Sequence, residues 1–222
     1  MKKLMLQDEH IVVIGASGFG RESLDVLRAM KEDGAAIEIS GVIDDAPSAS
    51  NLGRLKDLNV PYLGTLDHWL AGPSTNTKFV LGIGSPSVKR KIARKLEKEG
   101  FTPYTAIHPS AEIGSNPSLG PGAVVCAGAV VSTNVRFGKY VHINPHATIG
   151  HDATLEDFVS VNPAAVISGE VRIHDEVLVG AGAIILQQLT VERGVVVGAA
   201  ALVTKNVPPD VIVKGVPGVW NA

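Results

Sequence analysis

The chain has 222 residues, enough for one large domain or two small ones, and its 45% hydrophobic and 19% charged residues mark it as core-forming rather than disordered. A net charge of −2, with basic residues scattered, excludes a nucleic-acid footprint. No apolar run reaches the ~18–20 residues of a membrane span, so no membrane insertion is expected, and a single cysteine, Cys126, fits a reducing cytoplasm.

The opening segment carries Lys2 and Lys3, then Asp8, Glu9 and His10, and does not read as a signal peptide. His10-Ile-Val-Val-Ile14 reads as a buried strand and runs directly into Gly15-Ala-Ser-Gly18-Phe-Gly20. Phe19, Ser23, Val26, Leu27 and Met30 then fall at helical spacing on one face. A strand, a glycine turn and a helix point backbone N–H groups and a helix N-terminus at a phosphate. The spacing G-x-x-G-x-G differs from the dinucleotide fingerprint, and a tight structural turn is the alternative.

A second strand, Ile37 to Ile43, ends in Asp44 and Asp45, carboxylates placed to receive ribose or base donors or else to solvate a turn before Pro47. Phe79-Val-Leu-Gly-Ile-Gly84 is a third buried strand; Ser85 and Pro86 open a basic helix that runs to about Glu99 and stops at Gly100. This order implies a small parallel sheet with its ligand beyond the strand ends, where Gly20, Asp45 and Gly84 fall. Composition shifts near residues 103–107, so two domains are expected, 1–105 and 106–222.

The second domain is a repeat. From Ile107, steps of six reach Ile113, Leu119, Val125, Val131, Phe137, Ile143, Ile149, Leu155, Val161, Ile167, Ile173, Val179, Ile185, Val191, Val197 and Val203. These are seventeen consecutive hits, against odds of about a third at a random position. Four residues after each hit lies a small or β-branched residue such as Ala123, Ala147 or Val159, and the residue just after a hit is often Gly, Asn or Ser, suiting a turn or crowded corner. Neither helix nor plain strand repeats in six, whereas a triangular coil of short parallel strands closes in eighteen. About six such coils, stacked at ~4.8 Å, give a prism about 27–29 Å tall.

On these marks the second half resembles the hexapeptide-repeat acyltransferases, and that resemblance implies a left-handed parallel β-helix. The whole chain is similar to the sialic-acid O-acetyltransferase type, which includes N-acetyltransferases acting on nucleotide-linked amino sugars in bacterial glycan synthesis. The marks are the glycine turn at 15–20, Val42-Ile-Asp-Asp45, Leu81-Gly-Ile-Gly84, Ile107-His-Pro, Ile149-Gly-His-Asp152 and Gly215-Val-Pro217. The resemblance implies a Rossmann-like front domain that holds the nucleotide sugar through Gly18, Phe19, Gly20, Asp44, Asp45 and Gly84. It implies acetyl-CoA as co-substrate, bound by later coils around Gly180, Ala181, Gly198 and Ala199, between subunits of a homotrimer. The family often carries a cofactor-contacting histidine where this chain has Ser160. Lys205 and Lys214 are candidates for the phosphates of CoA, or else plain surface lysines.

Acetyl transfer needs a base for the acceptor's proton and a carboxylate to orient that base. His151 and Asp152 match the family's catalytic pair; a solvent-exposed corner is the alternative. No covalent enzyme intermediate is required, and no metal is expected: the spacing from His146 to His151 is similar to a β-helical zinc site, but Ser110 stands where its third histidine belongs. The function expected is N-acetylation of a nucleotide-linked amino sugar. O-acetylation of a free sugar such as a sialic acid is the alternative, and a non-catalytic scaffold or zinc enzyme a more distant one.

Overall fold

The computed structural model describes residues 8–72 and 76–221, so the opening segment read above lies outside the described residues up to position 7. The front half is a three-stranded parallel sheet of β1 (Glu9–Ile14), β2 (Ile37–Ile43) and β3 (Thr77–Leu81), in the order β2-β1-β3. β1 is central and its last four residues are buried, as a strand covered on both faces must be. Helix α1 (Gly18–Glu32) follows the glycine turn and buries Ser23, Leu24, Val26 and Leu27. Two short helices absent from the sequence reading, α2 (Ala49–Asp57) and α3 (Leu66–Leu70), fill the connection from β2 to β3; Ser48 and Thr65 cap them by accepting from the N–H groups of Asn51 and His68. Helix α4 (Pro86–Lys98) has proline in its first turn and buries Pro86, Lys89, Ala93 and Leu96.

The solenoid begins at Ala106–Ile107 and stacks two-residue strands on three faces. The first face has seven strands and includes His142–Ile143 and Ser160–Val161; the second has six and includes Thr148–Ile149; the third has four and includes Thr154–Leu155. All pairings are parallel and offset by one coil, as in Ser160 opposite both His142 and Leu178. Both sequence registers point inward: Val125, Ile143, Val161 and Val179 form one core with Ala129, Ala147 and Ala165, all fully buried. After Val203 the step of six shortens, and Val207 and Val213 take the inward seats.

The corners divide the labour the sequence assigned to one residue. The position just after a hit is the crowded one: a Cβ on Gly120 would lie 2.1 Å from the carbonyl oxygen of Gly138 in the next coil. The left-handed turn lies three residues after the hit, at Asn134, Tyr140, His146, Asp152, Phe158, Ala164 and Glu170. Each such residue costs about 1–2 kcal/mol outside glycine. Its N–H is held by the coil below, as in Asp152 donating to Thr133 O at 3.0 Å and Phe158 to Lys139 O at 2.8 Å.

The two halves share their packing. One core joins Leu24, Val26 and Leu27 to Ala106, Val124 and Cys126, and another joins Phe79, Ala93 and Leu96 to Tyr140 and Phe158. The first face of the solenoid is thus covered by the front domain over its early coils. Among the described residues no helix is long and apolar enough to cross a membrane.

Candidate active site

His151 and Asp152 sit on the edge between the second and third faces, directly after Thr148–Ile149. The left-handed backbone of Asp152, at φ 60°, turns its carboxylate back onto its neighbour. His151 Nδ1 pairs with Asp152 Oδ2 at 2.7 Å, and Asn134 Nδ2 donates to Asp152 Oδ1 at 3.0 Å. The His151 bond first, then that of Asn134, holds the Asp152 carboxyl below its ordinary range. An ionised carboxylate only accepts, so Nδ1 carries the hydrogen and Nε2 is left with its lone pair. Both side chains are about half exposed, 56% and 46%, so Nε2 is open to an incoming group.

Two neighbours of this pair escaped the sequence reading, and both stand one coil away. Asn134 precedes Asp152 by eighteen residues and is itself oriented by Asn116, whose Nδ2 donates to Asn134 Oδ1 at 2.9 Å. Gly169 follows His151 by the same interval, and a Cβ there would lie 2.5 Å from His151 Nε2. Aligning the sequence in steps of eighteen would have exposed both.

The front-domain candidates converge on the C-terminal ends of the strands. A cavity of about 290 Å³ is lined by Gly15, Ser17, Asp44, Asp45 and the apolar Ile43, Leu66, Ile83, Val88 and Ile92. Gly20 lies behind it, where a Cβ would come within 1.9 Å of Gly15 O, and Gly82 packs against Gly20 from β3's side. Gly18 is exposed and opens α1 with free space beside it. The two carboxylates differ: Asp44 accepts from Ala16 N at 2.7 Å and Ala46 N at 2.9 Å, fixing the glycine turn, whereas exposed Asp45 spends one oxygen on Leu66 N at 2.7 Å. Arg21, not singled out in the sequence, donates to Ala16 O and to Asn51 Oδ1, both at 2.8 Å, and brings a cation beside the turn.

Three further candidates meet at the seam between the halves. Phe19 stacks on His142 with ring centroids 4.7 Å apart. Ser160 is buried, and its hydroxyl donates to Gly84 O at 3.0 Å. Gly180, Ala181, Gly198 and Ala199 instead lie on the edge between the first and second faces, with Ala181 and Ala199 exposed. His146 shares that edge, away from His151, and among the described residues no three metal-ligating side chains gather. Burial, first, then the charge of Glu22 push the Cys126 thiol up to about 12, so it stays protonated. Lys205 stacks over Trp220 at 4.8 Å.

Residues 10–96 match the family model of the PglD N-terminal domain. Over 144 residues the chain is 26% identical to the GDP-perosamine N-acetyltransferase of Escherichia coli O157:H7, a match covering 64% of this chain and 62% of that relative's length. The acetyltransferase domain of PglB from Neisseria gonorrhoeae FA1090 superposes with a TM-score of 0.84 at 28% identity, covering 96% of this chain and all of that one. PerB from Caulobacter crescentus, solved with CoA and GDP-perosamine, gives 0.84 at 27% identity over 96% of this chain and 97% of that chain. A solenoid of the opposite hand would not superpose at this level, so the coil is left-handed. Residues 10–96 are thus of the PglD N-terminal type, and over 96% of its length the chain shares front sheet and left-handed solenoid with the acetyltransferases it is similar to.

Proposed function

We propose that this protein is an acetyl-CoA-dependent N-acetyltransferase of a nucleotide-linked amino sugar, with residues 1–105 holding the nucleotide and residues 106–222 carrying the transfer. The observation that carries this reading is the joint presence of two sites: a strand-end cavity of 290 Å³ walled by Asp45 and apolar side chains, and a His151–Asp152 pair with an open Nε2. The likeness over 96% of the chain to PerB, solved with CoA and GDP-perosamine, supports the same pairing of substrates. The gonorrhoeal PglB domain has also been solved with acetyl coenzyme A.

In this reading the glycine turn and the start of α1 receive the phosphates, and Asp45 takes donors of the ribose or base. His151 Nε2 accepts the proton that the amine loses as its nitrogen bonds to the thioester carbonyl carbon. The imidazolium, stabilised by Asp152, returns that proton to the departing sulfur, so the products are the amide and the free thiol. No covalent bond to the protein forms at any stage.

The edge of Gly180, Ala181, Gly198 and Ala199 presents nothing larger than a methyl group, which suits an extended pantetheine arm lying along backbone groups. That edge and the His151 edge flank opposite sides of the second face, so one chain does not bring them together. Past the exposed Glu112 of its first strand, the outward residues of that face, Val130, Thr148, Val166, Ile184 and Leu202, are apolar apart from one threonine; those of the third face, Ser118, Arg136, Thr154, Arg172 and Thr190, are polar. We therefore read the second face as a subunit contact that sets one protomer's His151 against the next protomer's glycine-alanine edge, giving a homotrimer with shared sites. A reducing cytoplasm, where both substrates occur, is the compartment proposed.

The test is thermal stability against acetyl-CoA and a panel of nucleotides and nucleotide-linked amino sugars. Stabilisation by acetyl-CoA and by one nucleotide sugar, followed by amide formation on mixing, supports the reading. Stabilisation by acetyl-CoA alone would move the acceptor to a free sugar.

A further inference from the structure

Lys89 occupies a seat that helical periodicity reserves for an apolar side chain: the buried face of α4 reads Pro86, Lys89, Ala93, Leu96. It is 0% exposed, and burial pushes its pKa well below the ordinary lysine value. A methionine or leucine would fill that seat without the cost of desolvating an amine. What the amine adds is direction. Nζ donates to Tyr140 O at 2.9 Å and to Val159 O at 3.2 Å. These two carbonyls lie at the same edge of the prism, on successive coils, and the chain between them is the coil that carries His151 and Asp152.

The other side of the same helix faces the front cavity. Val88, next to Lys89, and Ile92 form part of the cavity wall. The loop leading into α4 is tied to the same coil, because Ser160 donates to Gly84 O. Lower down, Tyr140 donates to Glu97 at 2.8 Å, and Arg90 pairs with Glu176. A single helix thus walls the cavity on one flank and grips the histidine-bearing coil on the other.

We propose that Lys89 is a positioning residue: by clasping both ends of the 140–159 coil it sets the offset between the nucleotide cavity and His151. This rests on the acetyltransferase reading for its kinetic consequence. Rates of positioned reactions are steep in such offsets, since a misplacement of about 1 Å far from the chemistry can cost on the order of 10²-fold.

The experiment compares wild type with Lys89→Met, Lys89→Arg and Ser160→Ala as full-length proteins. Each is given two acceptors at saturation, the nucleotide-linked amino sugar and the same amino sugar without its nucleotide. For Lys89→Met a tenfold or greater fall in kcat on the nucleotide-linked acceptor is expected, with turnover of the free sugar within twofold of wild type, because only the former is held by the front domain. Lys89→Arg, which keeps the donors, is expected to recover part of the loss. Equal effects on both acceptors, or none on either, would overturn the proposal. Should Lys89→Met fail to fold, Ser160→Ala is read instead, with at least a threefold fall in the same selective sense expected and an unselective change overturning it. Amide hydrogen exchange supplies a readout independent of activity. Faster exchange in Lys89→Met confined to α4 and residues 140–160 supports the clasp, and exchange like wild type overturns it. If wild type acetylates neither acceptor, the acetyltransferase reading fails, and the exchange result alone decides the clasp.

Discussion

Asn134 and Asp152 stand eighteen residues and one coil apart, joined by a hydrogen bond of 3.0 Å from the amide of the first to the carboxylate of the second. The bond leaves Asp152 one oxygen for His151 and fixes which imidazole nitrogen is free. Removing the imidazole by His151→Ala is expected to lower kcat by 10²–10⁴-fold, the usual worth of a general base. The half-exposed ring contributes little packing, so Tm should hardly move. Steady-state kinetics beside a melting curve separates the two effects, and activity within about threefold of wild type would remove His151 from the base role.

The next coil on each side yields a finer expectation. Asn134→Leu deletes one of the two groups on the Asp152 carboxylate, so kcat should fall several-fold while the KM values stay close to wild type. Gly169→Ala places a methyl group where His151 Nε2 now lies, 2.5 Å away, and the exposed ring must swing off Asp152 to make room. A fall in kcat of tenfold or more, with unchanged Tm, is expected. If Gly169→Ala destabilises the protein while sparing kcat, the space over Gly169 serves the solenoid and not the imidazole.

The architecture of the solenoid was legible because its cause is local and periodic: inward seats at every sixth residue admit only aliphatics, and Ile143, Val161 and Val179 obey that without reference to the rest of the chain. The front strands were legible for a similar reason, with β2 falling on the residues read from the sequence, although β3 begins at Thr77 and ends at Leu81, so that Gly82 to Gly84 form the loop into α4 rather than strand. What escaped depends on pairs distant in the chain. Asn134, Gly169 and the bond from Ser160 to Gly84 acquire meaning only when coils stack or domains dock. Asp44 illustrates the limit: its position at a strand end marked it for a ligand, yet both its oxygens accept backbone N–H groups of nearby turns. Lys89 read as one more cation of a basic helix because its charge hid its place on the periodic face of Pro86, Ala93 and Leu96, a face that exposed Lys91 and Arg94 do not share.

Stability should respond to acid through His142. The ring is fully buried, neither nitrogen has a hydrogen-bond partner among the described residues, and burial, then the nearby Lys89, push its pKa well below 6.5. Below that value the unfolded chain binds a proton at His142 and the folded chain does not. Stability therefore rises with pH through this window and is lost as pH falls from about 6.5 toward the folded pKa, at up to about 1.4 kcal/mol per pH unit. Lys89 is shifted in the same sense, so the informative comparison is wild type against His142→Phe, which keeps the stack on Phe19 and removes only the imidazole's titration. The variant should lose less Tm than wild type between pH 7 and pH 5; parallel curves would show that the ring takes its proton while folded.

Ile184 tests the assembly. Its side chain faces outward on the second face, is 40% exposed, and sits in a column with Val166 and Leu202. A carboxylate there would be harmless on a solvent-facing wall, since the strand pairing and the inward core at Ile185 are untouched. At a subunit contact it would set one buried charge against each neighbour, a cost of several kcal/mol per uncompensated ion. Ile184→Glu is therefore expected to convert a trimer to monomers in sedimentation velocity while the far-ultraviolet spectrum stays that of wild type. Because His151 and the glycine-alanine edge lie on opposite sides of that face, the monomers should bind nucleotide in the front domain yet lose acetyl transfer by 10²-fold or more. A monomeric variant with full activity would show that one chain holds a complete site, and that acetyl-CoA lies elsewhere than along Gly180 and Gly198.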